Sequence, residues 1–391
     1  MKIQTDTEHT TLEQPVLEDT LKRRITIGLP SGLSRGERRF PVTPEGASQL
    51  IDRHIAVKME RGAGEPIHYP DSAYARVGVE VCVRAETLRA DIIISPASLT
   101  VAEARTLRRG TLLVTLLHSI LFSPLYAKAL LSAGVNVMAA DLVSKDGHRP
   151  VADILHEIDG CASIAIASAL LTDPIHGKGI LLGGVTGVVP CEATVLGSGM
   201  GAIASAHNAL GMGATVRMFD SDMYSLRKAS RVLNHVPIAS APHPNVIRSA
   251  LKSADVVVIT PMRAPLTFDA DDISQLKRRV LIFDLTGTPG TTFPGIPVVD
   301  LAAASVQSME ASSSAVCYAN VGCRVPRTAA MAMSNILVAN IDAVMASHGT
   351  LAEIPAAMRP AMVLFWGKCV NHSCAELLGL RALDINLLTG N

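Results

Sequence analysis

The sequence predicts an α/β fold of two doubly wound, mainly parallel sheets. Strand-like and helix-like segments alternate in two successive series along the 391 residues, the pattern of parallel strands joined by helical crossovers. The strand-like runs are continuously apolar, as in TLLVTLL (Thr111–Leu117), which suits strands covered on both faces. The second series opens on a glycine-rich strand-to-helix turn, ATVLGSGMGAIASAHNALGMGATVRMFD, from Ala193 to Asp220.

The elements follow in order. The first 23 residues are polar and form an N-terminal extension, with a helix expected near Leu17–Arg23. ITIGLP (Ile25–Pro30) reads as the first strand. TPEGASQLIDRH begins a helix, with Thr43 as cap and Pro44 at the first helical position. IAVKMER, VEVCV, ADIIIS, TLLVTLL and VNVMAADL continue the strands, with VAEARTLRR and SPLYAKALLSAG as helices between them. A long helix is expected from Val151 to Leu171, with Gly160 allowing close packing. The second series carries the strands ATVLG, TVRMFD, DVVVIT, VLIFDL and IPVVDL. One apolar helix follows at AAMAMSNILVANIDAVMASHG, and another is expected through Phe365 and Leu378. The expected layout inserts one module, residues 151–318, into another made of residues 24–150 and 319–391.

Composition narrows the function. Lys+Arg and Asp+Glu number 35 each and aromatics are 3%, which argues against nucleic-acid binding by a basic surface or by stacking platforms. No uninterrupted apolar run reaches the roughly 20 residues of a spanning helix, and the N-terminus has no signal-peptide core. No membrane partner and a cytoplasmic location are expected. Cys82, Cys161, Cys191 and Cys317 sit in apolar contexts and read as reduced core residues. Cys369, His372 and Cys374 in KCVNHSC have no second ligand pair at zinc-like spacing, so no metal site is expected.

Gly197, Gly199, Gly201 and Ala202 fit G-x-G-x-x-[G/A] between a strand and a helix. Gly197 lets the chain turn, Gly199 lets the backbone approach a pyrophosphate, and Ala202 lets helix and strand pack closely. The helix N-terminus then offers free N–H groups to phosphate. Asp220 ends the next strand, where a carboxylate bonds ribose hydroxyls and repels a 2′-phosphate. A Rossmann-like domain binding NAD in preference to NADP is expected.

Four segments together resemble the alanine dehydrogenases and the nucleotide-binding alpha part of pyridine nucleotide transhydrogenases. They are IGLPSGLSRGERRFPVTPEGASQLIDR, ERGAGEPIHYPDSAYARVGVEV, the stretch from Gly177 through Asp220, and CYANVGCRVPRTAAMAMSN. The likeness spans about residues 24–385. It implies NAD-dependent oxidation of L-alanine to pyruvate and ammonia, a small amino-acid or 2-oxo-acid substrate, and a homo-oligomer, a hexamer in that family. It also implies roles for individual residues. Arg39 matches the family's carboxylate-binding Arg, His118 its catalytic His, and Asn320 its Asn near the nicotinamide. Arg263 stands in a loop where the family has Lys. Two matches fail: the family's substrate Lys falls on Ala97 (Ser95 if the loop shifts), and its active-site Asp falls on Thr288, with Asp284 matching only the preceding acid. Taken alone, His118 reads as a helix cap, Arg39 as a surface charge in RGERR, and Asp284 as a turn cap.

Three functions are therefore weighed. One is an amino-acid dehydrogenase, with altered substrate or low activity. Another is an NAD(H)-binding protein without turnover, motivated by Ala97 and Thr288. The last and weakest is a transhydrogenase nucleotide-binding subunit.

Overall fold

The computed structural model describes residues 25–32, 36–303, 315–348 and 353–389. The helix expected near Leu17–Arg23 lies outside them. In chain order the first series is β1 (Thr26–Leu29), α1 (Pro44–Asp52), β2 (Ala56–Glu60), α2 (Asp71–Arg76), β3 (Glu80–Cys82), α3 (Arg84–Thr87), β4 (Ile92–Ile94), α4 (Val101–Thr106), β5 (Leu112–Thr115), α5 (Leu117–Leu121), α6 (Pro124–Ala133), β6 (Asn136–Ala139) and α7 (Pro150–Thr172). The second is β7 (Glu192–Leu196), α8 (Met200–Gly211), β8 (Thr215–Phe219), α9 (Met223–Val232), β9 (Ile238–Ser240), α10 (Pro244–Ser253), β10 (Val256–Ile259), α11 (Ala270–Ser274), β11 (Leu281–Asp284), β12 (Val298–Asp300) and β13 (Val316–Ala319). The chain closes with α12 (Pro326–Ala339), α13 (Ile341–Ala346), β14 (Met362–Phe365), β15 (Lys368–Cys369) and α14 (His372–Leu378).

The two expected doubly wound sheets are present. One has the order β15-β14-β6-β5-β4-β1-β2-β3, the other β12-β13-β11-β10-β7-β8-β9. In each, the chain builds outward on one side of its first strand and then crosses to the other side. The reversals fall between β1 and β4 and between β7 and β10, where ligands bind beyond the carboxyl ends of such strands. The apolar runs fill the sheets: β4, β5, β6, β10 and β11 are buried at every residue, as strands covered on both faces must be.

The long helix α7 joins the two series. Gly160 makes its close crossing with α8 possible: a Cβ there would lie 2.4 Å from the Gly201 carbonyl oxygen and 2.9 Å from Ala204 Cβ. By length and mean hydropathy this helix could also cross a membrane, although Asp153, His156, Glu157 and Asp159 interrupt its apolar residues. Within the fold its apolar residues Ala162, Ile164, Ala167 and Leu171 pack into the core of the second sheet.

The C-terminal expectations need two corrections. The helix expected through Phe365 is instead strand β14, antiparallel to both β6 and β15, followed by the short α14. Pairing across the chain overrode local propensity, which favours neither state strongly in a short Met/Leu-rich stretch. The helix expected from Ala329 onward starts at Pro326 and is interrupted at Asn340, which caps α12 and precedes α13.

Candidate active site

The sequence places three expected site positions on loops just past strands, and the topology brings those loops to one edge. Arg39 lies beyond β1, Ala97 beyond β4, and His118 in the first turn of α5 beyond β5. Gly32 shows how tightly the first two loops meet. A Cβ there would lie 3.0 Å from Glu37 Cβ and 3.2 Å from Ala97 Cβ. Ser119 Oγ donates to the Pro96 carbonyl at 2.5 Å, tying the His118 helix to the Ala97 loop. Ala97 is buried and brings no charge.

Arg39 is held by Glu37. Its Nε donates to Glu37 Oε1 at 2.9 Å and its Nη2 to Oε2 at 2.6 Å, while its backbone N–H also donates to Oε1 at 2.8 Å. The Cys323 thiol approaches the same Oε1 at 3.9 Å. Burial raises the Glu37 carboxyl, but the Arg39 charge and bonds outweigh it and leave it below the ordinary range. Among the described residues Nη1 of Arg39 has no hydrogen-bond partner, and a guanidinium edge of this kind recognises carboxylate well.

His118 is accessible to solvent yet surrounded by protein on most sides. Burial and the Arg39 charge lower its pKa, against the opposing pull of Asp141 and Glu37. It is therefore a neutral imidazole at neutral pH, able to accept a proton. Asp141 accepts the Leu117 N–H at 2.9 Å and so anchors the first turn of α5. Leu116, Leu155 and Met333 form an apolar wall beside it, backed by Val151 and Ile154. An adjoining cavity of about 260 Å³ is lined mainly by apolar side chains, including Pro41, Pro96, Leu116 and Met333.

The dinucleotide motif has the shape its residues require. Gly197 sits at φ +111°, and a Cβ there would lie 2.0 Å from Thr260 Oγ1. A Cβ on Gly199 would meet nothing within 4 Å, so the turn faces open space at the N-terminus of α8. Gly201 and Ala202 are buried inside the first turn of that helix. Ser198 Oγ donates to Asp220 Oδ2 at 2.6 Å and the Asp222 N–H donates to Oδ1 at 2.9 Å. Each oxygen keeps a lone pair for a ribose hydroxyl. The glycine turn, helix end and acid fit a dinucleotide.

Asn320 follows β13 in the left-handed region, which Asn tolerates, and its Nδ2 donates to Asp300 Oδ1 at 2.8 Å. The residues after it enter the Arg39 site: Gly322 lies against Asp159 of α7, and Cys323 against Glu37. Asp284 is a turn residue. It is 1% exposed and accepts from the Thr286 N–H, the Thr286 hydroxyl and the Gly290 N–H. Thr288 is exposed, and the bonds it makes run to Thr286 and Thr291 of its own loop.

Sequence reasoning missed Glu37 and Asp159. Glu37 was hidden in the charged run RGERR. Asp159 stood among Asp153, His156 and Glu157 in the first half of its helix, and its place directly before Gly160 was the available signal.

Comparison with known proteins agrees with this architecture. Residues 28–161 match the family model described as alanine dehydrogenase/PNT, N-terminal domain, and residues 163–372 match its C-terminal domain. Alanine dehydrogenase of Bacillus subtilis (strain 168) is 30% identical over 319 residues, covering 80% of this chain and 83% of that protein. The Mycobacterium tuberculosis (strain H37Rv) alanine dehydrogenase is 28% identical over 323 residues, covering 79% and 84%. Among solved structures, an L-alanine dehydrogenase superposes with a TM-score of 0.79 at 21% identity, covering 91% of this chain and 99% of that one. A transhydrogenase from Sinorhizobium meliloti gives 0.71 at 17% identity, covering 89% and 99%.

Proposed function

The chain belongs to the alanine dehydrogenase/PNT family, and from that premise we propose that it is an NAD-dependent amino-acid dehydrogenase with a rebuilt substrate site. The carrying observation is the convergence of Arg39, oriented by Glu37, and neutral His118 at the carboxyl ends of β1 and β5. Residues 151–318 would form the cofactor module and residues 24–150 with 319–391 the substrate module. Gly197, Gly199, Gly201, Ala202 and Asp220 would hold NAD, with Asn320 beside the nicotinamide. When bound, NAD accepts a hydride from the substrate's α-carbon.

The chain's own groups then have distinct tasks. The free edge of Arg39 binds the substrate carboxylate. His118 takes a proton from the water that attacks the oxidised carbon. The wall of Leu116, Leu155 and Met333 receives an apolar side chain and keeps that side of the site dry. With Ala97 in place of a cation, one anchor for the carboxylate is gone. A substrate that gains affinity from its side chain would offset that loss, so L-alanine is one member of the panel to be tried. The protein is read as cytoplasmic and as a homo-oligomer, a hexamer by family habit.

The test is NADH oxidation with ammonium and a panel of 2-oxo acids, together with NAD reduction by the matching L-amino acids. Turnover that disappears in His118→Ala supports the reading. NADH binding without turnover on any member would instead favour a cofactor-binding protein that has lost catalysis, the alternative that Ala97 and Thr288 motivate.

A further inference from the structure

We propose that Asp159 is the amine-facing acid–base group of this site, exchanging a proton with the substrate's amino nitrogen. The inference rests on the dehydrogenase reading above and gives that reaction a carboxyl that the sequence motifs do not contain.

Position comes first. Asp159 precedes Gly160, where α7 crosses α8 so closely that no side chain fits. The backbone at Asp159 is therefore fixed by packing. Its carboxyl lies against Gly322, where a Cβ would come within 2.2 Å of Oδ1, and the Gly322 N–H bonds to it. A glycine is thus required at 322 for the carboxyl to stand where it does.

The surroundings define its partner. Arg39 and Glu37 face it from the loop after β1, His156 from its own helix, and Cys323 from the turn after β13. Glu37 is fully engaged with Arg39 and cannot serve as a base. Asp159 faces the same guanidinium but is held by a backbone bond. A substrate zwitterion with its carboxylate on Arg39 brings its ammonium toward this second carboxyl, so the pair Arg39 and Asp159 complements both charges.

Burial raises the Asp159 carboxyl above its ordinary value; Arg39, His156 and the Gly322 N–H oppose this, and Glu37 adds to it. A carboxyl whose proton is held more tightly than an ordinary aspartate's is better suited to take a proton and return it.

The step balances. The Asp159 carboxylate takes a proton from the α-ammonium and leaves a neutral amine. The nitrogen lone pair then forms C=N as the α C–H bond breaks, its hydride being what a bound NAD would accept. Water adds to that carbon and gives a proton to His118. Asp159 then protonates the nitrogen, the C–N bond breaks, ammonia leaves, and the hydroxyl proton goes to solvent as C=O forms. His118 then releases its proton to solvent, so both groups end as they began.

The experiment measures both directions across pH for the full chain and for Asp159→Asn, Asp159→Glu and Gly322→Ala, with NADH-induced thermal shift as the check on folding. The expected result is a fall of about 10²-fold in kcat for Asp159→Asn, with KM for the 2-oxo acid nearly unchanged. Its amination profile should also lose the limb on which activity falls as pH falls, because Asp159 enters that direction as the carboxylate. Asp159→Glu should recover part of the rate, and Gly322→Ala, which displaces the carboxyl, should lose rate without loss of cofactor binding. If Asp159→Asn keeps the wild-type kcat and both limbs, the proposal is overturned and the dehydrogenase reading stands. If the unmodified protein binds NADH but turns over no member of the panel, the dehydrogenase reading falls and takes the proposal with it.

Discussion

Glu37 grips Arg39 through two side-chain bonds, Nε to Oε1 at 2.9 Å and Nη2 to Oε2 at 2.6 Å, with their side chains only 9% and 11% exposed. Removing one partner of a buried pair leaves an uncompensated charge and costs about 3–5 kcal/mol. Glu37→Ala should lower the urea midpoint by that much stability and raise KM for the carboxylate substrate, because Arg39 loses its orientation. An unchanged midpoint in equilibrium unfolding would show that the pair carries no such weight.

Two glycines should separate binding from folding. Gly199 faces open space, so Gly199→Val should melt at the wild-type temperature without cofactor and lose the shift that NADH produces. Gly160 sits in the α7–α8 crossing, and Gly160→Ala should destabilise by about 1–3 kcal/mol through overpacking. Differential scanning fluorimetry with and without NADH reads both. Equal melting losses in the two variants would contradict this division.

On the proposed reading, Asp220 would set cofactor choice by repelling a 2′-phosphate. Asp220→Ser should shift the ratio of NADH to NADPH affinity by about tenfold or more, a change of roughly 1.4 kcal/mol. Titration of each reduced cofactor by fluorescence measures it. A ratio that does not move would place cofactor choice on other residues.

Acid stability should depend on Glu103. It caps α4 reciprocally with Thr100 and pairs with Arg84. Burial pushes its carboxyl up, but the bonds from Arg84 and Thr100 outweigh this and bring it down to about 2. A depressed folded value gives stability that is present above the ordinary pKa of 4.5 and lost as pH falls toward about 2. Glu103→Gln should cost about 1 kcal/mol near neutral pH, the scale of a lost cap, and the difference from wild type should shrink in that acid window. Parallel urea curves at neutral and acid pH test it.

The sequence made some of this legible and concealed the rest for identifiable reasons. Parallel strands such as Leu112–Thr115 announced themselves because burial on both faces leaves a continuous apolar run. The glycine turn was equally plain, since Gly197 at φ +111° has no substitute. β14 was misread because its strand state comes from antiparallel pairing with β6, more than 200 residues earlier, and not from its own residues. The polar cluster was harder still. Arg39 and His118 were found through the family likeness, but Glu37 matters through a bond two residues away and Asp159 through the approach of Gly322, 163 positions on. Neither leaves a periodic trace. Asp284, which matched a family acid, proved to be occupied by its own turn.

The central claim is that Arg39 and His118 still support NAD-linked turnover of an amino acid although Ala97 and Thr288 stand where the family implies a cation and an acid. The most direct measurement is NADH oxidation by the purified protein with ammonium and a panel of 2-oxo acids, repeated with His118→Ala. The account predicts oxidation with at least one member and a loss of about 10²–10⁴-fold in the variant. Absence of oxidation with every member, from protein whose melting temperature rises with NADH, would contradict it.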